Sequence, residues 1–242
     1  MIGHVRLRNI RHCIDTVVAE GIPGDVAEAG VWRGGAMIYA KAVLRVLGED
    51  TTRKLHVFDV FSRIKGYATG ADDFLSVSER RVRQSFEMFG VMDENIIFHR
   101  GLFQASCPKF HTAHPDTKIA VLRVDGNFYS SYQDVLYSLY DHVPIGGFVI
   151  FDDVNPGSDH GVMRAWKDFK AEQGLPEELI PVSKDTAFFR KTAHPKGGKV
   201  DFKYFRCGAR MFFDGRSQTN AALCAATLAA FVYLCLRALL PH

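Results

Sequence analysis

The segment from Gly24 to Gly48 constrains the fold of this 242-residue chain more than any other. It contains a short apolar strand that ends near Glu28, a glycine-containing turn from Gly30 to Gly35, and an apolar helix that begins at Ala36. A strand, a glycine turn and the N-terminus of a helix together present unpaired backbone N–H groups to a ligand. The segment therefore predicts an α/β unit whose turn is suited to bind a cofactor.

The chain as a whole alternates strand and helix. Apolar runs rich in β-branched residues are typical of buried strands, and the patterns between them are typical of helices. After a first helix at 5–20, we predict strands at 26–30, 55–60, 96–99, 119–124 and 148–151, helices at 36–47, 78–89, 132–140 and 162–172, and a closing strand pair at 179–182 and 187–190. This order predicts a doubly wound, Rossmann-like α/β sheet, mostly parallel with an antiparallel closing strand.

Two segments between the predicted elements have less regular patterns. Residues 62–76 contain glycine and aspartate and predict a long loop that can act as a lid. His111 and His114 are three residues apart, but Pro108 and Pro115 lie close to them and predict a loop rather than a helix. We therefore expect these histidines in a loop and not in a metal site.

Composition excludes several classes of protein. With 47% hydrophobic residues the chain can bury one sizeable core, so a single globular domain is sufficient. The net charge of +3 comes from scattered lysines and arginines, which argues against nucleic acid as a partner. Five cysteines without paired spacing indicate neither a disulfide framework nor a zinc site, and the charged N-terminus does not resemble a secretory signal. We therefore expect a cytoplasmic domain.

The glycine turn differs from a dinucleotide fingerprint. In Gly-x-Gly-x-x-Gly the second glycine lets a pyrophosphate approach the backbone, and Trp32 stands at that position here. A cofactor without phosphates fits better, with Asp59 at the end of the second strand placed to accept hydrogen bonds from a ribose. S-adenosylmethionine is such a cofactor. A turn that serves packing alone, with Asp59 as a helix cap, is the alternative.

Three aspartates follow two of the predicted strands. Asp125 comes directly after the fourth strand, and Asp152 and Asp153 follow the fifth. Because the carboxyl ends of parallel strands meet at the same edge of a sheet, the three carboxylates are expected to converge. Mg²⁺ prefers such oxygen ligands and would polarise a bound hydroxyl. The alternative is that these residues begin turns or cap helices.

Four motifs together resemble the macrocin O-methyltransferase (TylF-type) family. They are EAGVWRGG at 28–35, LRVDGNFY at 122–129, GGFVIFDD at 146–153 and FFRK at 188–191. The resemblance runs from about Arg6 to Lys191, and the order and spacing of the motifs agree as well as their residues. It implies a class I methyltransferase sheet that binds S-adenosylmethionine and methylates a hydroxyl of a sugar or another small natural product.

The resemblance also implies roles for individual residues. The cofactor residues would be Glu28, Gly30, Val31, Trp32, Arg33, Gly34, Asp59 and Phe61, and the Mg²⁺ ligands would be Asp125, Asp152 and Asp153. The family has Asp-Gly-Asp after the fourth strand, whereas this chain has Asn127 in place of the second acid. An amide cannot accept the proton of a hydroxyl, so Asp125 or a hydroxide held by the metal is the nearest catalytic base. A non-catalytic relative that binds S-adenosylmethionine or a partner is the alternative.

The C-terminal part of the chain lies outside the resemblance. We assign 1–191 to the methyltransferase domain and 192–242 to a basic linker followed by an apolar helix. The apolar segment at 221–240 is a candidate membrane anchor, although its long uninterrupted run is shorter than the roughly 20 residues of a comfortable span. Packing of this helix on the domain or on a partner is the alternative. A homo-oligomer is also considered.

Overall fold

The computed structural model describes residues 2–63, 74–154 and 161–201, which belong to one compact unit, Met1–Phe202. Most of the predicted lid and the whole apolar segment at 221–240 lie outside the described residues. Among the residues that are described, no helix is long and apolar enough to cross a membrane.

The described part of the chain forms a seven-stranded sheet with helices on both faces. The helices are α1 His4–Ala19, α2 Gly35–Val46, α3 Glu79–Met88, α4 Phe103–Ala113, α5 Tyr129–Leu139, continued by a 3-10 helix at Tyr140–His142, and α6 Val162–Gln173. The strands are β1 Asp25–Ala29, β2 Leu55–Asp59, β3 Ile96–Arg100, β4 Ile119–Val124, β5 Phe148–Phe151, β6 Ile180–Pro181 and β7 Ala187–Arg190.

The strand order is β3-β2-β1-β4-β5-β7-β6. Strands β1 to β5 are parallel, and β7 pairs antiparallel with both β5 and β6. The predicted α/β sheet with an antiparallel closing strand is therefore confirmed. The order reverses at β1, which has β2 on one side and β4 on the other, and ligands of such sheets bind at the carboxyl ends of the strands at this switch point.

Alternate strand residues build two apolar layers. On one face, Val57 and Val121 join a core with residues of α1, α2 and α3. On the other face, Phe58 contacts Phe110 of α4, and Phe151 contacts Tyr132 of α5 and Trp166 of α6. These buried layers fix the strand ends, and with them the positions of the side chains at the carboxyl edge of the sheet.

The prediction of a loop around His111 and His114 is wrong, because α4 occupies this segment with Pro108 inside it. A proline in a helix interior costs about 3 kcal/mol through a lost hydrogen bond and a clash. Phe110, however, is 2% exposed, and its ring meets those of Phe58, His56 and His99. The burial of this ring outweighs the local cost of the proline.

Candidate active site

The turn after β1 is fixed by steric contacts that only glycine permits. Gly30 has φ of 96°, and a Cβ built on it would lie 1.9 Å from the carbonyl oxygen of Asp125 on the neighbouring strand. Gly34 has φ of 84° and precedes α2, and its Cβ position is 3.0 Å from the ring of Phe86. Side chains at either position would push β1 from β4 or α2 from α3. The sequence therefore needs both glycines to bring these elements together.

Asp59 holds the same turn from the neighbouring strand. Its Oδ2 accepts hydrogen bonds from the backbone N–H groups of Val31 at 2.9 Å and Trp32 at 3.2 Å, and its Oδ1 accepts from that of Phe61 at 3.1 Å. Asp59, which is predicted to bind the ribose of the cofactor, thus also organises the turn directly. A carboxylate has about four lone-pair positions, so these three bonds leave room for a ligand hydroxyl.

The side chains of the turn point to different surroundings. The indole N–H of Trp32 donates to the carbonyl oxygen of Phe74 at 2.9 Å, and the two rings meet edge to face at 6.0 Å. The guanidinium of Arg33, an exposed residue, lies over the Trp32 ring at 4.7 Å. Phe61 is 2% exposed, and its ring packs on Phe98. Phe61 therefore lies in the core behind the turn, and its backbone is the part that reaches the edge.

Backbone strain is concentrated at this edge of the sheet. Among the described residues, four that are not glycine have positive φ, and each closely follows the carboxyl end of a strand: Trp32 after β1, Phe61 after β2, Asn127 after β4 and Asp153 after β5. Such conformations cost about 1–3 kcal/mol each and cluster at functional sites. The sequence motifs did not predict this strain, although Asn and Asp are the non-glycine residues that most often adopt positive φ.

A buried arginine joins the strand ends. Arg123 of β4 is 5% exposed and lies opposite Glu28 of β1 in the register of the sheet. Its guanidinium forms ion pairs with the carboxylates of Glu28 and Asp152, and its Nη2 is 2.9 Å from Asp125 Oδ2. Arg123 was not predicted as a site residue. Its only signal was a charged residue within the otherwise apolar run of β4.

Asp152 is enclosed by three donors. Besides Arg123, the guanidinium of Arg6 on α1 lies 3.0 Å from Asp152 Oδ1, and the hydroxyl of Thr186 donates to the same oxygen at 2.6 Å. The other terminal nitrogen of Arg6 is 3.3 Å from Asp185 Oδ2. The carboxylate of Asp152 is therefore held between a strand, a helix and the loop before β7.

The carboxylates at this edge outnumber the cations. Burial raises the pKa of Glu28 to about 8, although Arg123 opposes this effect. Burial also raises the pKa of Asp125, and it raises that of Asp153 to about 7 together with repulsion from Asp125 and Asp152. Asp153 Oδ2 is buried and has no hydrogen-bond partner among the described residues. Ionising all of these carboxyl groups at once is therefore unfavourable without a further cation.

The residue types of this donor set, though not their arrangement in the structure, suit a hard divalent cation. The predicted ligands Asp125, Asp152 and Asp153 are brought to one edge, and a cation would favour their ionised forms and supply a partner for Asp153 Oδ2. In the described parts of the chain, however, no three acidic, histidine or cysteine side chains stand in an arrangement that could hold a metal. The carboxylate of Asp152 instead faces Arg123, Arg6 and Thr186.

Known proteins resemble this chain over most of its length. The family model for macrocin O-methyltransferase (TylF) matches residues 1–191. The 8-demethyl-8-(2,3-dimethoxy-alpha-L-rhamnosyl)-tetracenomycin-C 4'-O-methyltransferase of Streptomyces olivaceus is 35% identical over 207 residues, which cover 80% of this chain and 76% of the relative. The demethyldecarbamoylnovobiocin O-methyltransferase of Streptomyces niveus is 37% identical over 207 residues, which cover 79% of this chain and 75% of the relative.

The solved structures agree as well. The structure of the O-methyltransferase NovP superposes with a TM-score of 0.70 at 34% identity, and the match covers 79% of this chain and 81% of that one. The fold and the family imply S-adenosylmethionine as the methyl donor. The protein is an O-methyltransferase, and the chain belongs to the macrocin O-methyltransferase (TylF) family.

Proposed function

We propose that this enzyme transfers the methyl group of S-adenosylmethionine to a hydroxyl of a sugar or another small natural product, and that it requires Mg²⁺. The observation that carries the proposal is the contact between the two halves of the edge. The turn at Gly30 lies directly against the carbonyl of Asp125, so a cofactor at the turn and an acceptor at the carboxylates would be neighbours. The names of the relatives, which include a rhamnosyl compound, support an acceptor of this class.

The cofactor half would hold S-adenosylmethionine through its backbone and two carboxylates. The residues proposed to contact it are Glu28, Gly30, Val31, Trp32, Arg33, Gly34, Asp59 and Phe61. The turn is already shaped by Asp59 and the glycines, so the ligand would enter a preformed cradle. Preorganisation of this kind lowers the entropy lost on binding.

The acceptor half would hold the metal through Asp125, Asp152 and Asp153. When bound, Mg²⁺ would orient the acceptor hydroxyl and lower its pKa. Two observations support this assignment: Asp153 Oδ2 is buried without a partner among the described residues, and the carboxylates exceed the arginines in number.

The residues of the chain would position the reactants and take up the proton. S-adenosylmethionine, when bound, would supply an electrophilic methyl group, which would pass to the acceptor oxygen as the C–S bond breaks and S-adenosylhomocysteine leaves. The hydroxyl proton passes to Asp125, because the amide of Asn127 cannot accept it. Alignment of oxygen, carbon and sulfur supplies much of the rate.

The test is methyl transfer from methyl-labelled S-adenosylmethionine to rhamnosides of one aromatic and one aliphatic aglycone. We expect labelled product with at least one acceptor, loss of product in EDTA, and recovery when Mg²⁺ is added. Full activity in EDTA would contradict the metal requirement. Tight cofactor binding by calorimetry with no product from any acceptor would instead favour the alternative, a protein that binds S-adenosylmethionine without catalysis.

We also propose that 1–191 is the catalytic domain, that it is cytoplasmic, and that the segment at 221–240 attaches it to a membrane. The apolar run and the basic residues that precede it support this division. In liposome flotation, the full chain should float and a chain that ends at residue 217 should stay at the bottom. Equal behaviour of the two chains would contradict the anchor.

A further inference from the structure

Arg6 lies across the open side of the Asp152 carboxylate. Its Nη1 is 3.0 Å from Oδ1 and 3.2 Å from Oδ2, so one nitrogen bridges the two oxygens. Thr186 occupies Oδ1 from a second direction, and Arg123 occupies Oδ2. A divalent cation that used Asp152 as a ligand would need a free lone pair on these oxygens. Arg6 occupies the positions that such a cation requires.

Arg6 can leave Asp152 more easily than Arg123 can. The side chain of Arg123 is 6% exposed and is held by carboxylates on both neighbouring strands, so its departure would leave buried charges without partners. The side chain of Arg6 is 25% exposed. It also has a second partner, Asp185, whose side chain is 37% exposed. Arg6 can therefore keep one ion pair when it gives up the other.

We propose that Arg6 is a resident counter-ion which a divalent cation displaces from Asp152, and that this exchange sets the cation affinity of the site. The inference rests on the proposed metal requirement. Without a cation, Arg6 neutralises Asp152 and ties the first turn of α1 to the carboxylate edge. With a cation bound, Arg6 retains Asp185 alone. Arg6 is thus a positioning residue whose action is exerted through Asp152.

The direct test is the binding of Mn²⁺, used as the probe for a divalent cation and measured by electron paramagnetic resonance of the free ion. We compare the full-length wild type with Arg6→Gln and with Arg11→Gln, a control on the same helix whose exposed side chain pairs with Asp15. Loss of a competing ion pair worth up to about 1 kcal/mol should tighten binding to Arg6→Gln about fivefold. Arg11→Gln should bind as the wild type does.

The outcomes separate this inference from the metal requirement. Binding to Arg6→Gln that is unchanged or weaker, while the wild type binds Mn²⁺, overturns the role of Arg6 alone. Absence of Mn²⁺ binding in both proteins overturns the role of Arg6 together with the metal requirement. Tighter binding to Arg6→Gln with an unchanged Arg11→Gln supports both.

Thermal unfolding supplies a readout that a merely structural contact would not produce. In EDTA, Arg6→Gln should melt below the wild type, because Asp152 and Asp185 lose a partner. Saturating Mn²⁺ should then raise the melting temperature of Arg6→Gln by more than it raises that of the wild type, because a tighter ligand stabilises more. Arg6→Lys keeps the positive charge but lacks the two terminal nitrogens that contact Asp152 and Asp185. Its rise in melting temperature should therefore lie between those of Arg6→Gln and the wild type. An equal rise in all three proteins would overturn the exchange.

Discussion

The two halves of the carboxyl edge are built on different principles. The turn after β1 is complete within the chain: Gly30 fits against β4, and Asp59 accepts three backbone hydrogen bonds from the turns. The carboxylate half lacks this steric fit: Asp153 Oδ2 is buried without a partner among the described residues, as is Glu28 Oε2 where the two halves meet at Arg123. The difference teaches that one half is fixed by sterics before a ligand arrives, whereas the other has an electrostatic imbalance that a ligand would correct.

Gly30→Ala should break the sterically fixed half, with the largest effect of all. The new Cβ would lie 1.9 Å from the carbonyl oxygen of Asp125 and force β1 away from β4. We expect a loss of more than about 4 kcal/mol in the free energy of unfolding, measured with urea. Gly48→Ala is the matched control, because Gly48 also has positive φ but its Cβ position is open. It should lose only about 1–2 kcal/mol, and equal losses would contradict the steric account.

Arg123→Met should break the link between the two halves. The variant removes the cation that Glu28 and Asp152 share and leaves their carboxylates buried. Urea unfolding should show a loss of about 3–5 kcal/mol. Arg11→Met, which removes an exposed ion pair with Asp15, should lose less than about 1 kcal/mol. Stability of Arg123→Met close to that of the wild type would mean that the network contributes little.

Asp59→Asn should weaken the turn without unfolding the protein. An amide has one oxygen where the carboxylate has two, so the hydrogen bonds to Val31, Trp32 and Phe61 cannot all persist. Hydrogen bonds to a charged group contribute about 1.5–3 kcal/mol, which predicts at least a roughly tenfold rise in the Kd for S-adenosylmethionine. Calorimetry should show no change for Asp50→Asn, whose side chain pairs with Arg45. An unchanged Kd in Asp59→Asn would contradict its role.

The histidine pair formed by His56 of β2 and His99 of β3 provides the smallest predicted effect. Burial lowers the pKa of His99 to about 3, helped by repulsion from His56, His114 and Lys109. The unfolded chain, with an ordinary pKa near 6.5, binds the proton first, so this contribution is full above about pH 6.5 and is lost as the pH falls toward 3. Because His99 is partly exposed, we expect about 1 kcal/mol between pH 7.5 and 5.5.

The variant His99→Phe should flatten this pH dependence, because it keeps the ring that stacks on Phe58 but cannot bind a proton. Urea unfolding at the two pH values measures the difference. The same pH dependence in His99→Phe and the wild type would assign the effect to other groups.

Local patterns predicted much of this structure. The alternation of strand and helix fixed the fold class, and the strand ends placed Gly30, Asp59, Asp125 and Asp152 at one edge. Such patterns could not reveal contacts between residues far apart in the chain. The pair of Arg6 with Asp152 spans 146 positions, and nothing in either local sequence indicates the other. Helix α4 was missed for a related reason, since tertiary burial outweighed the local effect of its proline.

Asp153→Asn tests most directly whether the acceptor half can lose its function while the cofactor half still binds S-adenosylmethionine. Asparagine tolerates the positive φ of this position, and Asp153 lies on the acceptor half. With the best acceptor of the rhamnoside panel, methyl transfer should fall about a hundredfold or more. The Kd for S-adenosylmethionine, measured by calorimetry on the same sample, should stay within about twofold of the wild type. Undiminished methyl transfer, or a joint loss of cofactor affinity, would contradict the account.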